Sequence, residues 1–328
     1  MKSFQALMLH QEGDQTRGTI QQLKLDDLPE GEVVIRVAYS SVNYKDGLAS
    51  LPGRIVKSYP FIPGIDLAGV VLQSSDERYA EGDEVIVTSY ELGVSHFGGF
   101  SEIARVRADW VVPLPARLTM REAMTLGTAG FTAALSILRL EQNGLRPEQG
   151  PVLVTGATGG VGSVAVDILA QKGYQVTAAT GKESEHAYLK QLGASEILSR
   201  EEVAPQDGKP LRRQQWAGAV DPVGGATLSY ICSSLAYNGS VALSGLTGGG
   251  EFSSTVYPFI LRGVNLLGID SVYCPMELRK QVWERLASTD KPKHLEDGVG
   301  REIGLDEVPE AMQLILQGKL KGRTVVKL

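Results

Sequence analysis

The sequence predicts an α/β protein with two parts, a β-rich first part and a doubly wound parallel sheet after it. About the first 115 residues hold short strand-like runs between Pro/Gly turns, and Glu32 to Ala38 alternates as one strand does. After Pro147, strand-like and helix-like runs alternate, which is typical of a parallel sheet covered by helices on both faces. A net charge of −6 and a hydrophobic content of 43% indicate a globular protein without a general nucleic-acid or membrane-surface role.

The β-rich part is predicted to contain further short strands and to end at a helix. Thr119 and Glu122 have the spacing of a capping box, which predicts a helix start at this point. Residues 322–328 predict a terminal strand that returns to the first part. The other strand-like runs are Gly69–Leu72, Glu84–Thr88 and Ser101–Val106.

A glycine-rich turn between a strand and a helix is the most informative motif of the chain. The strand Val152–Val154 leads into A-x-G-x-x-G at residues 157–162, and an apolar helical stripe follows. Gly159 would let the main chain approach a diphosphate, and Gly162 would let the helix lie close to the strand. Lys-Ser/Thr does not follow the last glycine, which excludes a Walker A loop. The motif predicts a dinucleotide site whose phosphate contacts are Thr158, Gly159, Gly160 and Val161.

Short-chain dehydrogenases also begin with a glycine-rich loop, but they need Tyr-x-x-x-Lys, and no tyrosine of this chain satisfies that pattern.

The rest of the second part is predicted to continue the alternation of strands and helices. The predicted elements are a strand at Tyr174–Thr180, a helix near 184–192, and strands near Glu196–Leu198, Val241–Ser244 and Val264–Ile269.

The end of the second predicted strand favours NADPH over NADH. NAD-specific proteins place Asp or Glu about 20 residues after the loop, where it binds the ribose hydroxyls. This chain has Thr180, Gly181 and Lys182 there, and Arg200 after the next strand is a second candidate cation for a 2′-phosphate. The alternative interpretation of Lys182 and Arg200 is ordinary solvated surface charge.

Cysteine use and the N-terminus indicate an intracellular chain. Cys232 and Cys274 follow no metal spacing and no disulfide framework, so both are expected to be buried free thiols. The N-terminus lacks the apolar core of a signal peptide, and no segment approaches 18 uninterrupted apolar residues. We therefore expect a cytoplasmic protein.

Several motifs together resemble those of the medium-chain dehydrogenase/reductase superfamily, over essentially the full length. Within it the chain looks like the zinc-independent quinone-oxidoreductase-like branch, specifically the acrylyl-CoA reductase (NADPH) group. The resemblance implies a GroES-like catalytic domain at 1–120 and 272–328, and a Rossmann NADP-binding domain at 121–271. It also implies a homodimer joined through sheet edges near Val264–Ile269. The motifs are Ser41–Asp46, Pro63–Gly69, Gly127–Ala133, Pro258–Arg262, Gly268–Ser271 and Gly322–Thr324.

The chain departs from the zinc-dependent members of that superfamily at the metal-binding positions. They carry Gly-His-Glu where this chain has Gly64, Ile65 and Asp66, and the cysteine ligand has no counterpart near Asn43. Isoleucine cannot ligate zinc, which needs several convergent N or S ligands. No catalytic metal is expected.

Without a Lewis-acid metal, the easier reaction is hydride addition to the β-carbon of an activated alkene, with a proton delivered to the α-carbon. Such a site needs donors for the oxyanion that develops. Tyr44 is predicted to donate through its phenol or to pack against the nicotinamide ribose. Asn43 is predicted to bond the substrate carbonyl, and Asp46 to orient Tyr44 or Lys45. The alternative is that Asn43 and Asp46 are turn residues and that Tyr44 only packs.

Four later residues are candidates for contact with the cofactor. Leu246, Ile269 and Ser271 follow late strands, where members of the resembling family contact the nicotinamide end, although ordinary strand-end turns have the same pattern. Arg323 is a candidate for a cofactor phosphate, with a salt bridge to a neighbouring residue as the alternative.

The sequence thus favours an NADPH-dependent reductase of activated C=C bonds, acting on acrylyl-CoA or a similar short enoyl or enone substrate. One alternative is an NADPH:quinone oxidoreductase, since a site without a metal accepts either acceptor. A second is an NADP(H)-binding sensor without catalysis. For the favoured function the expected partner is a small molecule rather than nucleic acid or a membrane, whereas the sensor alternative includes a redox-sensing or nucleic-acid-associated module.

Overall fold

The computed structural model describes residues 3–295 and 300–328, and the contacts divide the chain into two units. As far as they are described, the first unit contains Met1–Thr128, Val272–Ser288 and Gly300–Leu328, and the second contains Ala129–Ser271 and Thr289–Val299. The limits expected from the sequence, 1–120 with 272–328 for the catalytic domain and 121–271 for the NADP-binding domain, remain a prediction.

The described residues form 15 strands and eight α-helices. The strands are β1 Phe4–Glu12, β2 Gln15–Leu23, β3 Val33–Val42, β4 Asp66–Ser74, β5 Glu84–Thr88, β6 Ile103–Val106, β7 Val111–Pro113, β8 Val152–Val154, β9 Val176–Thr180, β10 Glu196–Ser199, β11 Trp216–Asp221, β12 Leu235–Leu243, β13 Asn265–Gly268, β14 Gly300–Ile303 and β15 Arg323–Lys327. The helices are α1 Tyr44–Ala49, α2 Met120–Gln142, α3 Gly160–Gln171, α4 His186–Gln191, α5 Gly225–Ser234, α6 Tyr257–Arg262, α7 Met276–Leu286 and α8 Val308–Leu316.

The first unit is built on a largely antiparallel sheet. Its order is β14-β15-β3-β4-β5-β7, β6 also pairs with β3, and β1 and β2 form a separate hairpin. The last strand, β15, pairs antiparallel with β3, which confirms the predicted return of the C-terminal segment. Val33, Ile35 and Val37 are buried on one face of β3, as their alternation predicts. Val34 on the other face is also buried, because it packs in a second cluster with residues of β1.

The second unit is a doubly wound parallel sheet, as predicted. Its strand order is β10-β9-β8-β11-β12-β13, and every neighbouring pair is parallel. The order reverses between β8 and β11, so the carboxyl ends of these two strands border the crevice where ligands of such sheets bind. The sequence did not predict β11, whose run Trp216–Asp221 is interrupted by glycine, and it did not predict α5.

Helix α2 begins at the predicted capping box. The Glu122 carboxylate accepts the backbone N–H of Thr119 at 2.8 Å, and the Thr119 hydroxyl accepts the backbone N–H of Glu122 at 3.1 Å. The helix is kinked at Gly127, whose φ is 51°. It is long and apolar enough to cross a bilayer, but 89% of its most apolar window is buried in the protein, as in a core helix. Cys232 and Cys274 are buried and are not joined in a disulfide with each other, as predicted.

Candidate active site

The phosphate-binding loop predicted from the sequence connects β8 to α3. Gly156 has a φ of 52°, so the left-handed residue of this turn lies one position before the Ala157 that replaces the usual first glycine. The helix begins at Gly160, after Gly159 as its N-cap. A Cβ atom on Gly162 would lie 2.4 Å from the Gly156 carbonyl oxygen, so the first turn of α3 packs directly on the loop. The Gly159 N–H donates to the Gly156 carbonyl at 2.9 Å, whereas N–H groups in the first turn of a helix have no partner within the helix and can bind an anion.

This close packing leads to a first prediction, for Gly162→Ala. The added methyl group must push α3 away from the loop, and we expect the free energy of unfolding to fall by about 1–3 kcal/mol, with weaker dinucleotide binding. Denaturant unfolding and a binding titration measure both effects. Gly250→Ala is the matched control, because a Cβ atom there meets nothing within 4 Å. Equal stability and affinity of the two variants would contradict the prediction.

The predicted 2′-phosphate residues lie together at the carboxyl end of β9. The hydroxyl groups of Thr158 and Thr180 are 3.4 Å apart, and the Lys182 backbone N–H donates to the Thr180 hydroxyl at 3.1 Å. Arg200 lies against Gly181, since a Cβ atom on Gly181 would be 3.1 Å from the Arg200 Nε and Nη2 atoms. The guanidinium therefore lies over the backbone of Gly181, directly after the end of β9. This group of hydroxyls and cations is suited to a phosphate monoester.

The three candidates for the nicotinamide end lie beyond the last two strands of the same sheet. Leu246 is 61% exposed in the loop after β12. Ile269 directly follows β13, and its backbone N–H donates to the Leu243 carbonyl at 3.0 Å. Ser271 is half-buried two residues further along. All three are on the carboxyl-end side of the sheet, as is the phosphate-binding loop, and their contact with a cofactor remains a prediction.

In the first unit, a buried polar network surrounds the carboxylate of Asp66. Oδ2 accepts hydrogen bonds from the Ser41 hydroxyl at 2.8 Å, the Asn43 side-chain amide at 2.7 Å and the Thr128 backbone N–H at 2.9 Å. Oδ1 accepts one from the Thr128 hydroxyl at 2.5 Å. The Arg323 guanidinium lies 3.7 Å from Oδ2 and completes a buried ion pair. The network connects β3, β4, β15 and the kink of α2.

Arg323 requires a correction, because the structure places it inside this network rather than at a cofactor phosphate. It is only 2% exposed. Its N–H groups donate to the Thr125 and Val42 carbonyls, the Asn43 side-chain oxygen and the Ser41 hydroxyl, at 2.8–3.1 Å. These bonds use four of the five N–H hydrogens, and the fifth belongs to Nη2, the nitrogen that faces Asp66 at 3.7 Å, so the guanidinium is committed to the network. The alternative interpretation, a salt bridge to a neighbour, is correct.

Asn43 also differs from its predicted role. Its side-chain amide donates to Asp66 at 2.7 Å and to the Ser41 carbonyl at 3.3 Å, and its oxygen accepts from Arg323. Since both amide hydrogens are used and the residue is 6% exposed, Asn43 has no donor for a substrate carbonyl. It instead fixes the start of α1, from which Tyr44 and Asp46 project.

Asp46 is fully buried, and its carboxylate accepts hydrogen bonds from two backbone N–H groups. Its carboxylate accepts the N–H of Asn43 at 2.7 Å and the N–H of Ile65 at 2.9 Å. Burial, and second the nearby charge of Asp66, raise the pKa of Asp46 to about 7. The two hydrogen bonds use both oxygens, so the geometry supports a positioning role at the N-terminus of α1.

This raised pKa predicts how Asp46 contributes to stability. Between a pH of about 4 and about 7 the folded protein binds a proton that the unfolded chain has released. The contribution of the group to the free energy of unfolding is therefore fully present below about pH 4 and is lost as the pH rises to about 7, by at most about 1.4 kcal/mol per pH unit. Asp46→Asn should remove this slope in denaturant unfolding. A difference between wild type and variant that stays constant over this pH range would contradict the prediction.

Tyr44 is the one predicted catalytic residue whose polar group is uncommitted within the described residues. It is the first residue of α1 and is half-buried. Its hydroxyl makes no hydrogen bond to another described residue, unlike the side chains of Asn43 and Asp46 beside it. A phenol held on a fixed helix start can donate to a ligand oxygen.

Two protein families match two separate parts of the chain. Residues 29–116 match the alcohol dehydrogenase GroES-like domain, and residues 160–288 match the zinc-binding dehydrogenase family. The first match covers most of the antiparallel sheet, and the second covers the parallel sheet from the start of α3. The chain therefore combines a GroES-like domain with a Rossmann-type domain, as the sequence predicts.

Relatives of known name cover nearly the whole chain. The putative quinone oxidoreductase YhfP of Bacillus subtilis is 59% identical over 99% of both chains. Its crystal structure with NAD bound matches with a TM-score of 0.97 over 100% of both chains. The acrylyl-CoA reductase AcuI of Ruegeria pomeroyi is 50% identical over 98% of both chains. The YhdH oxidoreductase of Salmonella enterica in complex with NADP is 47% identical, with a TM-score of 0.96 over 99% of both chains.

The residues at the family's zinc position do not fit a catalytic zinc ion. Ile65 is 1% exposed and has no ligating atom, and the Asp66 carboxylate is already bonded to Ser41, Asn43 and Thr128. Among residues 3–295 and 300–328, no group of three His, Cys, Asp or Glu side chains is arranged to hold a metal ion.

Proposed function

Because this chain belongs to the medium-chain dehydrogenase/reductase superfamily, we propose that it is a zinc-independent, NADPH-dependent reductase of activated carbon–carbon double bonds. The proposed substrate is acrylyl-CoA or a similar short enoyl or enone compound. The position of Arg200 against Gly181, beside Thr180 and Lys182, is the observation that carries the cofactor assignment. The name of the 50% identical AcuI supports the substrate class.

The residues of the second unit that would hold NADPH lie along the carboxyl ends of its strands. The loop from Thr158 to Val161 would bind the diphosphate, and Thr180, Lys182 and Arg200 would bind the 2′-phosphate. Leu246, Ile269 and Ser271 would contact the nicotinamide end. When bound there, the cofactor supplies the hydride for the β-carbon of the substrate.

The residues of the first unit would act on the substrate carbonyl. As hydride is added to the β-carbon, negative charge develops on the carbonyl oxygen, and the Tyr44 hydroxyl would donate a hydrogen bond to it. A proton then joins the α-carbon, so that the double bond becomes a single bond with two new C–H bonds. Asp46, Asn43 and Arg323 would keep the start of α1, and with it Tyr44, in place.

A quinone reductase remains the second candidate, and the name of the 59% identical YhfP favours it. The test is NADPH oxidation by the purified protein with acrylyl-CoA and a simple quinone as parallel acceptors, and with NADH as the cofactor control. A much higher kcat/KM for acrylyl-CoA supports the proposal. A preference for the quinone would overturn the substrate class, and a lack of turnover with every acceptor would favour the non-catalytic sensor.

We also propose that the enzyme is a cytoplasmic homodimer joined through the edge strand β13. Leu266 on that strand is 38% exposed, and Ile260 and Leu261 on the preceding α6 are 70% and 52% exposed. Apolar side chains of this size next to an unpaired strand edge favour an interface. Sedimentation velocity would show a dimer, and Leu266→Lys should shift it toward the monomer.

A further inference from the structure

Asp221 is a buried carboxylate at the carboxyl end of β11. The side chain is 0% exposed. It has no cationic partner in an ion pair between described residues, so hydrogen bonds must compensate its burial. The strand it ends is the neighbour of β8, at the point where the strand order of the sheet reverses.

The carboxylate of Asp221 joins the phosphate-binding loop to the next loop of the sheet. Its Oδ1 accepts the hydroxyl hydrogen of Thr155 at 2.5 Å and the N–H of Val223 at 3.0 Å, and its Oδ2 accepts the N–H of Gly224 at 3.2 Å. Thr155 is 1% exposed and directly precedes Gly156, the left-handed residue of the phosphate-binding loop. One side chain therefore holds both loops on either side of the crevice.

The loop that Asp221 begins is packed in turn against the loop after β12. The Ser244 N–H donates to the Asp221 carbonyl at 3.0 Å, and the Gly248 N–H donates to the Val223 carbonyl at 2.8 Å. A Cβ atom on Gly245 would lie 2.2 Å from the Pro222 carbonyl oxygen. The proposed nicotinamide contact Leu246 belongs to this third loop, so the three loops form one continuous hydrogen-bonded series.

Side-chain anchoring matters here because the glycines of these loops have no side chains of their own that could fix the backbone. Gly224 and Gly225 both have positive φ values, 71° and 57°, and glycine has the largest backbone freedom to lose on ordering. A loop that presents N–H groups to a diphosphate binds tightly only if those groups are already in place. Among the described residues, the Thr155 hydroxyl forms the one side-chain hydrogen bond between Asp221 and the loop before α3.

We propose that Asp221, acting through Thr155 and Gly224, is a positioning residue that sets the phosphate-binding loop and the nicotinamide-side loop for the cofactor. This inference rests on the proposed NADPH site. It assigns Asp221 no contact with cofactor or substrate, and it predicts that breaking the single Thr155 bond weakens cofactor binding while most of the fold is unchanged.

The test compares Thr155→Val with Thr177→Val. Valine has nearly the shape of threonine, so each variant removes one buried hydroxyl without leaving a large cavity. Thr177 is 0% exposed on β9 of the same sheet, but its hydroxyl bonds only Glu196, at 3.3 Å. Calorimetric titration with NADP⁺, steady-state kinetics and amide hydrogen exchange of the unliganded protein are measured for wild type and both variants.

We expect Thr155→Val to raise the Kd for NADP⁺ and the KM for NADPH about 10-fold, with kcat within about 2-fold of wild type. Exchange should become faster at the amides of 156–161 and 223–225, and Thr177→Val should show neither effect. The Kd and the exchange rates of Asp221→Asn should lie between those of wild type and Thr155→Val. Its amide oxygen still accepts one loop N–H, and the Thr155 hydroxyl can accept a hydrogen bond from the new amide instead of donating one.

Equal Kd values and equal exchange in the two threonine variants would overturn the inference. A fall in kcat with unchanged KM and Kd would also overturn it, since positioning of the cofactor loop predicts the opposite. If the wild-type protein binds no NADP⁺, the proposed function fails on its own. The exchange data then decide separately whether Asp221 orders the loop.

Discussion

Replacing Tyr44 with phenylalanine is expected to lower kcat for the enoyl substrate about 10²–10³-fold, with little change in KM for NADPH. The hydroxyl is proposed to donate to the oxygen on which charge develops, and the loss of one such donor acts on the transition state more than on the bound substrate. Steady-state kinetics with acrylyl-CoA measure the effect. Because no described residue uses this hydroxyl, the variant should keep the stability of the wild type.

Tyr39→Phe is the matched control for this variant. Tyr39 is half-buried on β3, the strand that leads to Tyr44, and its hydroxyl also makes no hydrogen bond to another described residue. Removing that hydroxyl should leave kcat within about 2-fold of wild type. A similar kcat for the two variants would show that the Tyr44 hydroxyl does not take part in the reaction and that the residue only packs.

Replacing Arg200 with glutamine is expected to reduce the preference for NADPH over NADH, expressed as the ratio of kcat/KM values, about 10–100-fold. The loss should come from KM for NADPH, because the guanidinium beside Gly181 is proposed to bond a phosphate that NADH lacks. The preference of the wild type should also weaken at high salt, since Arg200 is exposed and its charge is screened.

Arg139→Gln provides the comparison for Arg200→Gln. Arg139 is an exposed arginine of α2, and its removal changes the net charge by the same amount without touching the end of β9. Its cofactor preference should equal that of the wild type. The crystal structure of the relative from Bacillus subtilis has NAD bound, and NAD lacks the 2′-phosphate. If the wild-type protein used NADH and NADPH equally well, that result would overturn the proposed 2′-phosphate site.

The local part of the fold was predictable because its signals are short-range. The run β8, glycine turn, α3 lies within residues 152–171, and its apolar periodicity and glycines are visible in the sequence. The capping box of α2 needs only Thr119 and Glu122. By contrast, the run of β11 contains a glycine and was not predicted as a strand, and its two parallel neighbours in the sheet identify it as one.

The partners of buried polar side chains were not predictable in the same way. The Arg323 and Asn43 side chains bond each other across 280 positions of the chain, and neither position carries a sign of the other. For this reason the sequence assigned Arg323 to a phosphate and Asn43 to a carbonyl. Asp221, before Pro222 and two glycines, has the pattern of an ordinary turn until Thr155, 66 positions earlier, is placed beside it.

The sequence by itself determined the two sheet types, the phosphate-binding loop and the set of cations and hydroxyls at the end of β9. These features depend on periodicity, on glycine and on residues that lie close together along the chain. Only the tertiary structure decided which polar side chains are used inside the protein and which remain for a ligand. Each buried donor or acceptor must find a partner, and that partner comes from whichever strand or loop the fold brings beside it.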